Sequence, residues 1–205
     1  VAHAPTREAA IDRLHLALDH YEIDGIVSNR QFLSAVLENE SFRSGDLTTG
    51  FIDAEFEGDF VAGPPSDAAA ARLVALGTAI VALQMEERHA GDPDTGFVVI
   101  SQDGTRRMVE LGHVDKHSAK LTVDGNGFTL LGLLQAPVYL FDGTINEEPV
   151  AVQIRHTGHK VVLTHGAALL ALTVFPARFE PMLDYMPVAA EGAGADEITA
   201  PMPGQ

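Results

Sequence analysis

The chain has 205 residues, 46% apolar and 20% charged, which is enough for one or two soluble domains whose core needs no covalent staples. Thirteen basic residues against 29 acidic ones give a net charge of −16. Such a surface repels phosphate backbones, anionic lipid heads and the phosphates of a coenzyme A thioester, and argues against nucleic-acid and membrane-surface roles. Cysteine is absent, which removes disulfides, thiolate zinc sites and cysteine nucleophiles.

The chain opens on Val1, and helical spacing begins almost at once. Ile11, Leu14, Ala17 and Leu18 mark one face over 6–22, with Thr6 as N-cap and Gly25 past the C-terminal end. Ser28 followed by Gln31 has the capping-box pattern and predicts a second, short helix with Phe32, Leu33, Val36 and Leu37 on its apolar face. Gly45 and Thr48-Thr49-Gly50 predict an extended exit from it. Residues 57–67 are predicted as a linker that stops at Pro64-Pro65, after which Ser66 and Asp67 can cap a helix over 68–89.

That third helix has almost no polar face: Leu73, Val74, Ala75, Leu76, Gly77, Ala79, Ile80, Val81, Ala82, Leu83 and Met85 surround it. A helix apolar all round is buried in protein or in lipid. The stretch 73–83 has eleven residues, interrupted by Thr78 and flanked by Arg72 and Glu86-Glu87-Arg88, whereas a membrane span needs roughly twenty apolar residues. Burial inside protein is the expectation, and the remaining sequence must supply the wrapper.

From Gly96 onward, strand-like runs alternate with turns. The runs are 97–101, 106–111, 119–123, 128–133, 138–141, 150–155, 160–164 and 169–175. The predicted turns are Asp103-Gly104, Asp124-Gly125-Asn126-Gly127, Asp142-Gly143, Thr157-Gly158 and His165-Gly166. Alternation such as Val150, Val152, Ile154 against Ala151, Gln153, Arg155 predicts a two-faced sheet, and eight antiparallel runs on short turns close readily into an up-and-down barrel. The fold expected is α+β: a long central helix wrapped by an eight-stranded antiparallel barrel, preceded by a small helical segment. To admit a helix, the barrel must be wide or splayed. Residues 188–198 are low in complexity and predicted as a flexible linker.

Chemistry-bearing patterns are sparse. His113 and His117, and His156 and His159, sit in predicted turns, where solvated histidines are the simpler reading than a metal site. Glu86-Glu87 and Glu147-Glu148 are adjacent carboxylates, which point in different directions in helix or strand and do not form an acid–base pair. No glycine-rich phosphate loop and no nucleophile at motif spacing is present, so no catalytic, cofactor-binding or metal-binding residue is assigned. The loop over 86–95 must leave the barrel mouth and return. Loops projecting from a rigid scaffold are where recognition concentrates.

The opening of the chain resembles the C-terminal end of the biotin carboxylase domain in biotin-dependent carboxylases. The residues that carry the likeness are Thr6-Arg7-Glu8-Ala9-Ala10-Ile11-Asp12-Arg13-Leu14, Ala17-Leu18, Ile23-Asp24-Gly25-Ile26-Val27-Ser28-Asn29, Phe32-Leu33, Phe42-Arg43-Ser44-Gly45-Asp46 and Thr48-Thr49-Gly50-Phe51-Ile52. Ala200-Pro201-Met202-Pro203-Gly204 is similar to the start of a biotin-carrier domain. Val174-Phe175-Pro176-Ala177-Arg178-Phe179-Glu180 and Leu183-Asp184-Tyr185-Met186-Pro187 resemble the stretch that precedes such a carrier. In this order the segments are similar to the alpha subunits of acyl-CoA carboxylases, with the propionyl-CoA-carboxylating members nearest.

The resemblance implies four regions: the end of the biotin carboxylase domain (1–52), a subunit-joining "BT" helix-in-barrel domain (53–187), a linker (188–198) and the start of the carrier (199–205). Both chain ends then read as cuts within a longer polypeptide. It further implies ATP, Mg and biotin in the parent enzyme, none of them held by this segment. The implied partner is a carboxyltransferase beta subunit in an alpha6beta6 hetero-oligomer, bacterial-cytoplasmic or mitochondrial. The loop after the long helix, the "hook", would meet that partner through Glu86, Arg88, His89, Asp92 and Asp94. Two alternatives stay open: a barrel binding a small hydrophobic ligand, decided by whether the helix fills the lumen, and a methylcrotonyl-CoA or acetyl-CoA carboxylase.

Overall fold

A computed structural model describes residues 1–23, 26, 28–56, 60–88, 95–134 and 138–185, less the side chains of Glu87 and Arg88. The chain begins with four short helices: α1 (Arg7–His20), α2 (Arg30–Glu38), α3 (Glu40–Ser44) and α4 (Phe51–Phe56). The long helix α5 (Asp67–Arg88) follows. Then come eight strands, β1 (Gly96–Ser101), β2 (Arg106–Val114), β3 (Ser118–Val123), β4 (Asn126–Gly132), β5 (Leu140–Ile145), β6 (Glu148–Thr157), β7 (Lys160–His165) and β8 (Ala168–Pro176). A 3-10 turn (Ala177–Phe179) and α6 (Glu180–Leu183) end the described chain.

The strands close in sequence order into a barrel, each antiparallel to the next, with β8 returning to β1 from Phe97↔Pro176 to Ser101↔Leu172. The α+β class, the antiparallel barrel and the enclosed helix are as expected. The ring is closed, not splayed. Room for the helix comes from small residues on α5: Ala75, Gly77, Ala79 and Ala82 are all buried. A Cβ on Gly77 would lie 3.0 Å from Leu172 Cδ1 and 3.3 Å from Leu163 Cδ1, so the glycine lets α5 approach β7 and β8 more closely than any side chain would allow.

Every apolar side chain of α5 from Leu73 to Leu83 is at most 7% exposed, packed against inward residues such as Phe97, Leu130, Phe141, Ile154 and Leu163. The buried hydroxyl of Thr78 donates to Val74 O at 2.7 Å, which settles its only polar group within the helix. By length and composition α5 could cross a membrane, but it is enclosed by strands. Among the described residues the lumen is occupied by α5, whose buried side chains pack against the inward faces of the strands.

Three local expectations change. Ser28 does not cap α2; Asn29 occupies the N-cap position and makes no side-chain cap bond. The exit at 45–50 is non-helical but is flanked by two short helices, α3 and α4, that the spacing did not predict. Asn39 caps α3 by accepting from Phe42 N at 3.1 Å, and Gly45 ends it in the left-handed region. Phe42, Phe51, Phe56, Phe60 and Phe32 then form a chain of aromatic contacts that holds α2, α3 and α4 together.

Asp142-Gly143 is not a turn but the middle of β5. A Cβ on Gly143 would fall 2.1 Å from Leu131 O, so this glycine serves the close crossing of β4 and β5. The turn is at Asn146-Glu147, whose φ angles of 51° and 69° match the two-residue hairpin type. Asn146 also accepts from Thr129 N at 2.8 Å, tying that turn to β4. Likewise Asp124-Gly125 makes the β3–β4 turn while Asn126 and Gly127 already belong to β4.

Candidate domain and subunit junction

Residues 1–56 are fastened to the outside of the barrel through α1 and α2. Along α1, Ile11, His15 and Asp19 are spaced four apart and share a face. Ile11 is 5% exposed and Asp19 3% exposed. On α2 the same spacing puts Arg30 and Ser34 on the buried face.

Burying a carboxylate is costly unless it is paired and hydrogen-bonded. Asp19 is supplied with both. Its Oδ1 accepts the backbone N–H of Gly166 at 2.9 Å and lies 4.0 Å from Arg30 Nη1. Its Oδ2 lies 3.6 Å from His165 Nδ1 and 3.8 Å from His15 Nδ1.

The β7–β8 turn is the barrel's half of this contact. Gly166 has φ +56°, and a Cβ there would meet Glu38 Oε1 at 2.3 Å, so the bare backbone presents its N–H groups. The next N–H, of Ala167, donates to Glu38 Oε1 at 3.1 Å, and the same oxygen pairs with His15 Nε2 at 2.8 Å. The bond to Glu38 raises the His15 pKa against the opposing effect of burial. For Glu38, burial pushes the pKa up, but the bonds from His15 and Ala167 outweigh it and the net direction is down.

Two further contacts continue the junction along β6 and β5. Gln153 donates to the carbonyls of Asp19 (3.2 Å) and Tyr21 (2.9 Å), capping the end of α1. His20 Nδ1 bonds Leu16 O at 2.8 Å, while its Nε2 lies 3.3 Å from Asp142 Oδ2. The carbonyl first, then Asp142, raises the His20 pKa. Ala151, on the outer face of β6, is 2% exposed as a result of this covering.

Of the residues expected at the partner contact, only Glu86 and the backbone of Arg88 are among the described ones. Glu86 is exposed in the last turn of α5, which also contains the backbone of Arg88. His89, Asp92 and Asp94 lie outside the described residues. That barrel end also holds Gln84, bonded to His156 at 3.1 Å, and the exposed Leu131 (53%), Leu133 (48%) and Tyr139 (57%).

Three of the other singled-out groups, His113, His159 and Glu148, have structural partners. His113 pairs with Asp115 at 2.9 Å, and His159 stacks on Phe175 with ring centroids 5.1 Å apart. Glu148 pairs with Arg72. Sequence reading missed Asp19, His15, Arg30, Glu38 and Gly166. The available signal was polar residues continuing the Ile11 stripe at intervals of four.

A helix threaded through a closed antiparallel barrel, with a helical segment clamped to its wall, is the architecture that the described residues define. Residues 68–188 match the family model described as the propionyl-coenzyme A carboxylase BT domain, and residues 1–54 match that of the biotin carboxylase C-terminal domain. The chain belongs to the propionyl-coenzyme A carboxylase BT-domain family, in the order of domains found toward the C-terminus of an alpha chain.

Similar proteins agree. The mitochondrial propionyl-CoA carboxylase alpha chain of Caenorhabditis briggsae is 25% identical over all of this chain and 31% of its own length. The alpha chain of Ruegeria pomeroyi is 51% identical over 57 residues, 28% of this chain and 8% of that one. The biotin carboxylase of Halalkalibacterium halodurans is 42% identical over 52 residues, 25% of this chain and 12% of that one. The chain thus spans about a third of the curated relatives that it matches over its full length.

Proposed function

We propose that this chain is part of the alpha subunit of a biotin-dependent acyl-CoA carboxylase acting on propionyl-CoA, and that its barrel joins alpha to the carboxyltransferase beta subunit. The observation that carries the reading is the match of the helix and barrel to the BT domain. In support, α5 leaves the barrel at the end where Leu131, Leu133 and Tyr139 expose apolar surface, which suits a protein partner. On this reading Glu86, Arg88, His89, Asp92 and Asp94 lie at the contact, and the assembly is alpha6beta6, in a bacterial cytoplasm or a mitochondrial matrix. The domains run 1–52, 53–187, 188–198 and 199–205, as the end of the carboxylase, the joint, the tether and the start of the carrier.

The parent would use ATP and Mg to carboxylate biotin and would then pass the carboxyl group to the acyl-CoA. The residues here do not fit those groups. Among the described residues no cluster of three His, Asp or Glu could hold a metal ion. The proposed role of this segment is mechanical and non-catalytic. It fixes the two enzyme parts at a set separation, so that a tethered carrier meets each at raised effective concentration.

The test is binding of the purified beta subunit. Near-stoichiometric co-elution is expected from the unsubstituted chain, and at least tenfold weaker binding from the Arg88→Glu, Asp92→Lys double variant. Equal binding by both chains would remove the loop from the interface, and none by either would remove the joining role.

A further inference from the structure

The chain that follows β8 is held against the barrel. After Pro176 the 3-10 turn and α6 fold back along the outside of β1, with Gly96 so close that an added Cβ would lie 3.2 Å from Ala177 Cβ. Leu183 is only 7% exposed. Phe97 and Val99 point into the barrel core, so Val98 between them points outward, yet it is fully buried where the 3-10 turn packs on β1. Asp184 then accepts a hydrogen bond from Arg106, the first residue of β2, at 2.7 Å. Tyr185, one residue on, is 89% exposed.

The carboxylase-like segment is held elsewhere. Its contacts fall on β6 through Gln153, on β5 through Asp142 and on the β7–β8 turn through Gly166. Round a ring of eight strands in sequence order, β1 is three strands from β6 and four from β5. Four strand spacings amount to about 19 Å of wall. The strap and the α1 contacts on β5 and β6 therefore lie on different sides of the barrel, whereas the β7–β8 turn is nearer to β1 round the ring but at the far end of β8 from Pro176.

We propose that residues 177–185 are a strap that anchors the origin of the carrier tether on the β1–β2 wall of the barrel, across from the α1 contacts on β5 and β6. The barrel then acts as a spacer of fixed width between the two. The word tether rests on the function proposed above. Leu183 and Asp184 are positioning residues: Leu183 seats the strap, and the Asp184 pair with Arg106 sets where it ends. Anchoring the tether at 185 instead of 176 removes nine residues of free chain, about 30 Å of maximal reach. A shorter tether that still spans its sites confines the carrier to a smaller volume and raises its effective concentration at each.

The absence of cysteine permits a direct test. Nitroxide labels on Leu16→Cys, exposed on α1, and Tyr185→Cys report the distance across the barrel by pulsed dipolar spectroscopy. A single narrow distribution is expected. In a strap variant, Leu183→Ser with Asp184→Lys, its width should at least double. A second label pair, Leu16→Cys and Gln102→Cys on the β1–β2 turn, should stay narrow in both chains and shows that the barrel remains folded.

A broad distribution in the unsubstituted strap, or no broadening in the variant, overturns the proposal. Because the distances are read without partner or substrate, a failure of the strap is separate from a failure of the carboxylase reading, which beta-subunit binding decides.

Discussion

Gly166 donates its backbone N–H to the buried carboxylate of Asp19 at 2.9 Å, across 147 residues of sequence. The bond joins a hairpin turn of the barrel to the last turn of α1, and it needs both residue types. Glycine accepts the left-handed backbone and leaves room for Glu38, and the carboxylate meets both the Gly166 amide and Arg30 through Oδ1. The helical segment is thereby held to the barrel by directed polar contacts.

Asp19→Ala removes the partner of a guanidinium that is only 7% exposed and leaves the Gly166 amide without an acceptor. We expect a loss of about 3 kcal/mol. Asp19→Asn keeps an acceptor for Gly166 while removing the charge, and should cost about 1–2 kcal/mol. Urea denaturation of the two variants measures the difference; equal losses would mean that the charge plays no part. Hydrogen exchange in α1 should rise in both before that of β3, which lies away from the junction.

The junction should also depend on pH. His15 has its pKa raised above the ordinary 6.5 in the folded chain, so its contribution is complete below 6.5 and fades as pH rises through the shifted value. Glu38 has its pKa lowered below the ordinary 4.5, so its contribution is present above 4.5 and is lost as pH falls through the shifted value. Docking of the helical segment is therefore expected to be strongest between about 4.5 and 6.5. Exchange protection of α1 against pH tests this, and His15→Gln should flatten the alkaline limb while leaving the acid limb in place.

Gly143→Ala places a methyl group 2.1 Å from Leu131 O and 2.9 Å from Phe141 Cζ. A backbone oxygen cannot move aside as a side-chain tip can, so β4 and β5 must separate. The expected loss is about 3 kcal/mol, at the upper end for overpacking. Thermal unfolding by circular dichroism provides the check, with Gly125→Ala as a comparison at a site that is open but has φ +82°. A smaller loss at Gly143 than at Gly125 would contradict the close-crossing account.

Gly77→Val adds a branched side chain where even a Cβ would sit 3.0 Å from Leu172 Cδ1. We expect a loss of about 2–3 kcal/mol by urea denaturation, despite the gain from removing a helix-interior glycine. Adding Leu172→Ala should recover part of it, because the two sites share one space. Strictly additive losses would show that α5 does not press on β8 there.

Several strong local signals were legible in the residues. The apolar run 73–83 could only be a buried helix, and Asp124-Gly125 and His165-Gly166 both mark hairpin turns in the structure. Asp142-Gly143 carried the same dipeptide signal and is strand, because the close approach of Leu131 O excludes any Cβ there. A dipeptide reports the backbone that its glycine permits, and a close crossing and a turn both ask for glycine. The short α3 was missed because its stop, Gly45, also reads as a loop residue, and its cap is Asn39, a residue equally at home in turns.

The junction was hidden for a different reason. Ile11, His15 and Asp19 form a stripe, but a stripe containing a carboxylate looks solvated until a partner is known. The partner amides lie near residue 166, and nothing in the spacing of either segment encodes the meeting. The sequence by itself determined the class, a wrapped helix in an antiparallel barrel, because periodicity, turn chemistry and apolar runs act over a few residues at a time. Only the tertiary structure decided where the barrel is gripped, by Asp19 at the β7–β8 turn and by Leu183 and Asp184 on the β1–β2 side. Those contacts depend on the closure of the ring, which brings together residues that are far apart along the chain.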